Sequence, residues 1–313
     1  AGHDADTGTC IIEPLSQLPV IGEFLFVNGE SQKDFIGDDS NPDGPEIVIN
    51  GGTGGVETGV TLQGTRIHVH HLALQEFSRE HVYMYADSCR VSGCYIGTTQ
   101  DGSSAADTTG YSDGIFIQGD YNTIGGDAEG ERNLISGNSR YGLYLNQASH
   151  NIIAGNYIGV DSRAEGEVPN NDGIVVGGNS SHNTIGPDNV ISANNYGGIR
   201  FISEDADTNT VTANYIGTDG TGLSALGNGE YGIRLKQSGH LIIGGAAAEE
   251  GNVISGNARS GIAIYEESHN NVVSNNLIGV GADGATPLEN QWDGIHIADG
   301  SHDNEIGPGN TIA

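Results

Sequence analysis

The chain of 313 residues carries 11 Lys and Arg against 41 Asp and Glu, which gives a formal net charge of −30 at pH 7. Because phosphate groups are bound through cationic surfaces, this balance argues against nucleic acid and against an anionic membrane surface as partners. No apolar run approaches the roughly 18 residues of a membrane-spanning helix, so no membrane insertion is expected. The charge favours cations, neutral sugars or cationic surfaces as partners.

The chain begins with Ala1 rather than Met and has only two lysines. We expect a processed, secreted product that is extracellular or located at the cell surface. The excess of carboxylates is typical of proteins from salt-loving organisms, and equally of acidic extracellular proteins in the presence of calcium. The odd number of cysteines is compatible with one disulfide, whose pairing the spacing leaves open among Cys10, Cys89 and Cys94.

In chain order, the first predicted element is an N-terminal capping segment over residues 1–35. A repeat rich in Ile, Val, Gly and Asn follows and keeps its register from Cys89 to the last residue. Its units are 26 to 33 residues long and begin at Asn122, Asn151, Asn183, Asn209, Leu241, Asn271 and Asn304. Each unit has three short segments with alternate apolar residues, separated by Gly, Asn and Asp turns. Three strands per unit without helical periodicity predict one rung of an all-β parallel solenoid, with rungs ~4.8 Å apart.

Stacked rungs predict that equivalent residues form ladders. The first interior ladder comprises Ile96, Ile135, Ile158, Ile191, Ile216, Ile254, Ile278 and Ile312. The second comprises Ile115, Leu143, Ile174, Ile199, Ile233, Ile262 and Ile295. A polar ladder of Asn133, Asn156, Asn189, Asn214, Asn252, Asn276 and Asn310 precedes the first, with Cys94 in the earliest rung. We expect these amides to bond from rung to rung and the asparagines to adopt left-handed turn conformations.

Extra residues alternate between two places in successive repeats. One kind of repeat is extended near its first turn, at residues 125–132 and 244–251, and the other after an Ile-Gly step, at 161–171, 219–230 and 281–292. The solenoid is therefore expected to carry protruding loops on alternate rungs, in two ridges on different edges. Insertions confined to one face are where solenoids usually bind ligands.

The Asn-Tyr-Ile-Gly-Thr-Asp pattern from Asn214 and the Asn-x-Ile-Ser-Gly-Asn pattern at Asn252 to Asn257 resemble secreted right-handed parallel β-helix repeat proteins of the pectate-lyase-like superfamily. The N-terminal stretch from Ile12 to Ile21 resembles the segment that precedes such repeats in large surface proteins. The resemblance implies a right-handed β-helix of about ten rungs over residues 36–313, continuing or capped beyond the chain end within a larger surface protein. It implies no single function, because this architecture hosts lyases, hydrolases, epimerases and structural domains.

Aspartates and histidines are the candidates for catalysis. Asp113, Asp172 and Asp293 precede a Gly-Ile step at the same place in different rungs. A spacing of ~10 Å between alternate rungs exceeds the ~6.5 to 9.5 Å of inverting carboxylate pairs, so a role in turn formation competes with catalysis. His68 and His70 share one face of a predicted strand, with His71 and His81 nearby, and are candidates for a base or ligand site. The arginines stand singly in the sequence, and no compact constellation of acid, base and Arg is evident.

A column of histidines is expected at the junctions between units. Thr208 interrupts this column, whose members are His150, His182, His240, His269 and His302. Stacked imidazoles suit a transition metal, but a stacked polar turn explains them as well.

The protruding loops contain hard oxygen ligands between glycines, which makes calcium a candidate ion, although no loop has a known calcium-motif spacing. The acids concerned are Asp161, Glu165, Glu167, Asp219, Asp283 and Glu289. Solvated surface carboxylates are the alternative. Trp292 ends one loop, Tyr231 occupies the equivalent place two rungs away, and Tyr111 lies in an earlier loop. These rings are candidates for stacking on sugars or for packing the loops onto the barrel.

The sequence thus favours an extracellular surface, adhesion or structural β-helix domain, with polysaccharide or cell-surface glycan binding and calcium stabilisation as further hypotheses. The alternative is a polysaccharide lyase or glycoside hydrolase of the same fold.

Overall fold

The computed structural model describes residues 2–4, 9–31, 41, 44–106, 110–128 and 130–313. Its strands form three sheets of 12, 9 and 10 strands, here called sheets A, B and C. Each turn of the chain adds one strand to each sheet in the order A, B, C, and every pairing is parallel except that between the first two strands. The predicted β-solenoid is confirmed.

The strands are numbered here in chain order through all three sheets. Sheet A contains β1 (Gly2–Asp4), β2 (Thr9–Ile12), β4 (Ile47–Asn50), β7 (Ala73–Gln75), β10 (Tyr95–Ile96), β13 (Leu134–Ile135), β16 (Tyr157–Ile158), β19 (Val190–Ile191), β22 (Tyr215–Ile216), β25 (Val253–Ile254), β28 (Leu277–Ile278) and β31 (Thr311–Ile312). Sheet B contains β5 (Val60–Thr65), β8 (Glu80–Asp87), β11 (Asp113–Ile117), β14 (Tyr141–Asn146), β17 (Asp172–Gly177), β20 (Ile199–Phe201), β23 (Ile233–Lys236), β26 (Ile262–Tyr265) and β29 (Ile295–Ile297). Sheet C contains β3 (Phe26–Asn28), β6 (His68–His70), β9 (Arg90–Ser92), β12 (Thr123–Gly125), β15 (Ile152–Ala154), β18 (Thr184–Ile185), β21 (Thr210–Val211), β24 (Ile242–Gly244), β27 (Val272–Ser274) and β30 (Glu305–Ile306). One 3-10 turn, Ala248–Glu250, precedes β25.

The core is a single column of apolar side chains between the three sheets, built from β-branched residues that suit short pleated strands. Both predicted ladders lie in it, and their members from Ile96 to Ile278 and from Ile115 to Ile262 are fully buried. Ile312 keeps the register of the first ladder and pairs with Ile278, but it is 49% exposed because β31 is the edge strand of sheet A and no described rung covers it. Ile295, in the edge strand of sheet B, is half-buried for the same reason.

The predicted asparagine ladder is confirmed. From Asn133 to Asn310 each Nδ2 donates to the Oδ1 of the next member, at 2.8 to 3.2 Å. The backbone N–H of Cys94 donates to Asn133 Oδ1 at the start of the column, at 2.9 Å. A second continuous column, from Asn138 to Asn290, flanks the turn between sheets A and B and did not emerge from the sequence.

The expected left-handed conformation belongs, in five of the seven rungs of the ladder, to the residue before the asparagine rather than to the asparagine itself. Asp188 and Ala213, which precede Asn189 and Asn214, have φ values of 61° and 51°. The asparagine can then direct its amide inward, where it bonds to backbone N–H and C=O groups that have no strand partner at the turn. Between sheets B and C, His150, His182 and His240 have the same left-handed conformation, with φ values of 58°, 56° and 56°.

The histidine column stacks as expected. The rings of His150 and His182 are 4.9 Å apart, and those of His269 and His302 are 5.4 Å apart. Thr208 Oγ1 lies 3.3 Å from His182 Nδ1 where the series is interrupted. The column is thus a stacked polar turn.

Loops on alternate rungs protrude between sheets A and B, at residues 97–106 with 110–112, 159–171, 217–232 and 279–294. In three rungs shorter turns intervene, over 136–140, 192–198 and 255–261. Residues 126–128 with 130–133, and residues 245–252, belong to the insertions between sheets C and A. Both predicted sets of insertions are present, and the first borders one edge of sheet B.

The N-terminal region also contributes strands. The segment expected to cap the β-helix contains β2 and β3. Strand β2 pairs in parallel with β4, and β3 pairs in parallel with β6. The boundary predicted at residue 36 falls in 32–40, outside the described residues. All three cysteines are free, and burial raises the pKa of Cys94 to about 12.

Candidate functional site

The outer face of sheet B, with the turns that lead into it, concentrates cationic and aromatic side chains. Six of the eleven Lys and Arg residues of the chain lie on it or in the turns that lead into it: Arg79, Arg140, Arg200, Arg234, Lys236 and Arg259. In strands such as β14, Leu143 and Leu145 face the core while Tyr144 lies on the opposite, outer face. Alternation along the strands therefore makes this face polar and aromatic.

The first cluster on this face surrounds Arg140, in the turn before β14. Its Nη1 lies 3.3 Å from Asp113 Oδ2. Its guanidinium lies over the rings of Tyr111 at 4.9 Å and Tyr141 at 4.3 Å, and Tyr144 is 5.6 Å away. A planar cation is thereby held between a carboxylate and three phenol rings.

Asp113 itself is a buried acid, with a side chain only 3% exposed. Burial raises the pKa of Asp113 to about 6, against the opposing effects of Arg140 and the N–H of Tyr141. Glu80 is its register partner on β8, one rung away, and this second carboxylate adds to the rise. Two carboxyl groups on adjacent rungs, one with a raised pKa, are suited to proton transfer.

The other predicted acids lie in the same column but do not join Asp113. Asp172, two rungs on, accepts from Arg200 Nη1 at 2.7 Å and from the N–H of Gly197 at 3.0 Å. Asp293, at the β29 end, bonds His296 Nδ1 at 2.7 Å. Each acid therefore has its own partner.

The second cluster surrounds Arg259, four rungs and roughly 19 Å from the first at the usual strand spacing. Arg259 Nη1 donates to the Tyr231 hydroxyl at 3.3 Å, and Nη2 pairs with Glu230 at 3.0 Å. The Arg259 guanidinium lies 5.1 Å from the ring of Trp292, which is 60% exposed. Tyr265 completes the cluster through an edge contact with Tyr231, with ring centroids 6.0 Å apart.

The aromatic candidates from the sequence are thus divided. Trp292 and Tyr231 meet through Arg259, whereas Tyr111 belongs to the Arg140 cluster. Neither arginine was among the candidates from the sequence. Arg140 directly precedes β14 and Arg259 lies three residues before β26, in the motifs Arg-Tyr-Gly and Arg-Ser-Gly. Each reaches an acid of the preceding rung or turn, and that shared position was the available signal.

The loop acids proposed for calcium bond their own loops. Asp219 Oδ1 accepts from Thr221 Oγ1 at 2.8 Å and from the N–H of Leu223 at 3.1 Å. Asp283 Oδ1 accepts from the N–H of Thr286 at 2.8 Å, and such backbone bonds lower its pKa. Asp161 repeats the pattern with the N–H groups of residues 163 and 165. These carboxylates shape turns, and calcium binding there stays a prediction.

The N-terminal histidines lie on or near sheet C. His68 and His70 share a face of β6, and both contact Ser92 Oγ, at 2.8 and 2.9 Å. Burial lowers the pKa of His68 to about 4. His81 is elsewhere, in the core against Phe77, where burial lowers its pKa to about 4. Catalysis by His68 or His70 stays a prediction.

A family model described as "Right handed beta helix region" matches residues 113–312. The chain belongs to the right-handed β-helix family. This agrees with the resemblance found in the sequence and gives the solenoid its handedness. No curated protein matches the chain.

Among solved structures, this β-helix protein is similar to the Dettilon tailspike protein, with a TM-score of 0.61 and 16% identity over 96% of this chain and 59% of the other. It therefore spans under two thirds of the tailspike chain. A mutant of the periplasmic alginate epimerase AlgG gives a TM-score of 0.46 at 16% identity, covering 84% of this chain and 74% of the other. A mannuronic acid specific polysaccharide family 6 lyase from human gut microbiota gives 0.39 at 14%, covering 92% and 76%. At 16% identity the likeness to the tailspike establishes the fold alone.

Within the part of the β-helix chain that the structure describes, no helix has the length and apolar character needed to cross a membrane.

Proposed function

We propose that this protein is an extracellular β-helix domain that binds a polysaccharide along the outer face of sheet B. The observation that carries the proposal is the pair of arginine and aromatic clusters, about four rungs apart on one straight face. Exposed rings such as Trp292 and Tyr111 offer flat apolar surfaces for sugar rings, and the paired guanidinium and carboxylate groups offer donors and acceptors for hydroxyls.

The charge distribution supports an uncharged or mixed sugar surface as ligand. Although the chain carries −30 overall, the basic groups on sheet B are balanced by their neighbours, as in the Arg200–Asp172 and Arg259–Glu230 pairs. Two clusters separated by about 19 Å suit an extended chain better than a single sugar.

The test is affinity electrophoresis of the protein through gels containing neutral or acidic polysaccharides, followed by calorimetry with the one that retards it. Trp292→Ala and Arg259→Ala should weaken binding several-fold each, as expected for loss of about 1 kcal/mol of stacking or charge contact. Tyr121→Ala is the matched control, because Tyr121 is 61% exposed but stacks on His150, between sheets B and C. Binding that is unchanged in both test variants, or equally lost in the control, would contradict the proposal.

A polysaccharide lyase or hydrolase is the second candidate, and the Asp113 site favours it. A buried acid with a pKa of about 6 can exchange a proton near neutral pH, Glu80 supplies a second carboxylate one rung away, and Arg140 can neutralise substrate charge.

Product analysis separates the two functions. A lyase yields unsaturated, ultraviolet-absorbing ends, and a hydrolase yields reducing ends alone. Asp113→Asn should abolish either activity, while Asp172→Asn, at the same position two rungs on, should retain it. If the protein binds a polysaccharide and forms no product, the binding function stands and the enzyme is refuted. If product still forms in Asp113→Asn, the Asp113 site is not the catalytic site.

A further inference from the structure

A mixed group of imidazoles and carboxylates lies at the N-terminal end of sheet C, away from the sheet B face. Glu30 follows β3 in a turn, and on the next rung His70 ends β6 and His71 follows it. One ligand atom from each of Glu30, His70 and His71 lies within 4.8 Å of the other two. Among the described residues, no other group of His, Cys, Asp and Glu meets this condition.

The His70 ring is oriented so that its Nε2 faces the Glu30 carboxylate. Its Nδ1 lies 2.9 Å from Ser92 Oγ and 3.2 Å from the carbonyl oxygen of Ser92. In the tautomer in which Nδ1 donates to this carbonyl, Nε2 presents its lone pair 3.5 Å from Glu30 Oε2. A cation between these two acceptor atoms would bind both. A backbone carbonyl on the far ring nitrogen is also the usual support of a metal-ligating histidine.

A second carboxylate increases the demand for positive charge. Glu46 is only 1% exposed, and its Oε2 lies 3.4 Å from His71 Nε2. A buried carboxylate is costly unless it is paired with positive charge. His71 thus lies between the Glu46 carboxylate and the Glu30–His70 pair.

We propose that Glu30, His70 and His71 bind a divalent transition ion of the zinc class. Two imidazole nitrogens and one carboxylate oxygen are an established donor set for zinc, with water in the fourth position. Bond lengths of about 2.0 to 2.2 Å in a tetrahedral site place ligand atoms a little over 3 Å apart, close to the 3.5 Å between His70 and Glu30.

The bound ion links two rungs. Glu30 belongs to the turn after the first strand of sheet C, and His70 and His71 belong to the second rung. The ion therefore ties the N-terminal strand β3 to the body of the solenoid. Between these strands, the N–H of Gly29 donates to the carbonyl of His70 at 2.9 Å, so this amide reports on the junction.

The test uses the full chain after chelator treatment and dialysis. Calorimetry with zinc chloride should show one site, and cobalt chloride should give the visible absorption of a low-symmetry, nitrogen-containing site. Zinc should raise the melting temperature and slow hydrogen exchange at the amide of Gly29. His70→Gln and Glu30→Gln should each weaken zinc binding by roughly tenfold or more.

The matched control is His182→Gln, which removes an imidazole from the exposed stacked column and should leave zinc affinity and the Gly29 amide unaffected. Glu30→Gln alters an exposed turn, so it serves if His70→Gln fails to fold. The proposal is overturned if the chelated protein takes up no zinc, if Glu30→Gln and His70→Gln bind it as the unmodified chain does, or if only His182→Gln loses it.

Discussion

The sharpest prediction concerns Asn189, in the middle of the first asparagine ladder. Its side chain is fully buried and makes four hydrogen bonds. Nδ2 donates to the carbonyl of Ile153 and to Asn214 Oδ1, both at 2.8 Å. Oδ1 accepts from the N–H and from Nδ2 of Asn156, both at 2.9 Å. Asn189→Leu keeps the number and branching of the side-chain heavy atoms and removes all four bonds.

The cost follows from which partners lose their only bond. The carbonyl of Ile153 still accepts from the N–H of Gly186, and Asn156 Nδ2 still donates to two carbonyls. The N–H of Asn156 and the Oδ1 of Asn214 each lose the bond that Asn189 provided. At ~1 to 3 kcal/mol for each of these two buried unsatisfied groups, we expect a loss of about 2 to 6 kcal/mol.

The assay is urea unfolding followed by circular dichroism, with hydrogen exchange as the local readout, because a solenoid can open rung by rung. The midpoint should fall, and the amide of Asn156 should exchange faster than amides several rungs away. Asn195→Leu is the control: it is the same substitution at an exposed neighbour of the second ladder. If Asn189→Leu unfolds at the midpoint of the unmodified chain, the ladder does not stabilise the fold as argued.

Three further predictions concern the core, the buried acid and the charged loops. Ile191→Ala should cost ~2 to 5 kcal/mol by leaving a cavity, whereas Ile152→Ala, at a 46% exposed position, should cost far less; equal urea midpoints for the two would refute the register. Because the pKa of Asp113 is raised to about 6 when folded, its contribution to stability is full below pH 4 and lost as pH rises through 6, by up to about 3 kcal/mol. Asp113→Asn should therefore reduce the difference between the urea midpoints measured at pH 4 and pH 8. Loss of the ion pair with Arg140 should shift both midpoints by the same amount. If the midpoint of the variant depends on pH as that of the unmodified chain does, the raised pKa of Asp113 is contradicted. Screening of the −30 charge should raise the melting temperature gradually with sodium chloride, as the Debye length falls from ~10 Å at 0.1 M to ~3 Å at 1 M. Calcium should add a saturating increment, and melting curves that superimpose at matched ionic strength would end the calcium hypothesis.

The periodic parts of the fold could be predicted from the sequence because each rung repeats the same physical problem. Ile158 and Ile191 recur at one place in the unit, so stacking at a constant spacing buries both against the same neighbours. Asn156 and Asn189 recur directly before the same strand, so their amides meet without further information. Architecture, core and first polar ladder therefore follow from period and residue type.

The candidate sites were only partly predictable because they depend on residues that do not repeat. Asp113 and Trp292 stood out in the sequence, but their partners Arg140 and Arg259 lie in turns whose direction a repeat pattern does not specify. The raised pKa of Asp113 depends on its burial.

The sequence by itself determined the solenoid. Its strands are short, apolar residues alternate along them, and Ile and Asn recur at the same places in each unit, so stacked rungs are the way to bury the apolar face. The tertiary structure alone decided which side chains from different rungs share a site. Glu30 and His70 are 40 residues apart in sequence, yet 3.5 Å separates their polar atoms because β3 and β6 are neighbours in sheet C. Contacts across rungs depend on side-chain direction and turn geometry, and a one-dimensional pattern contains neither.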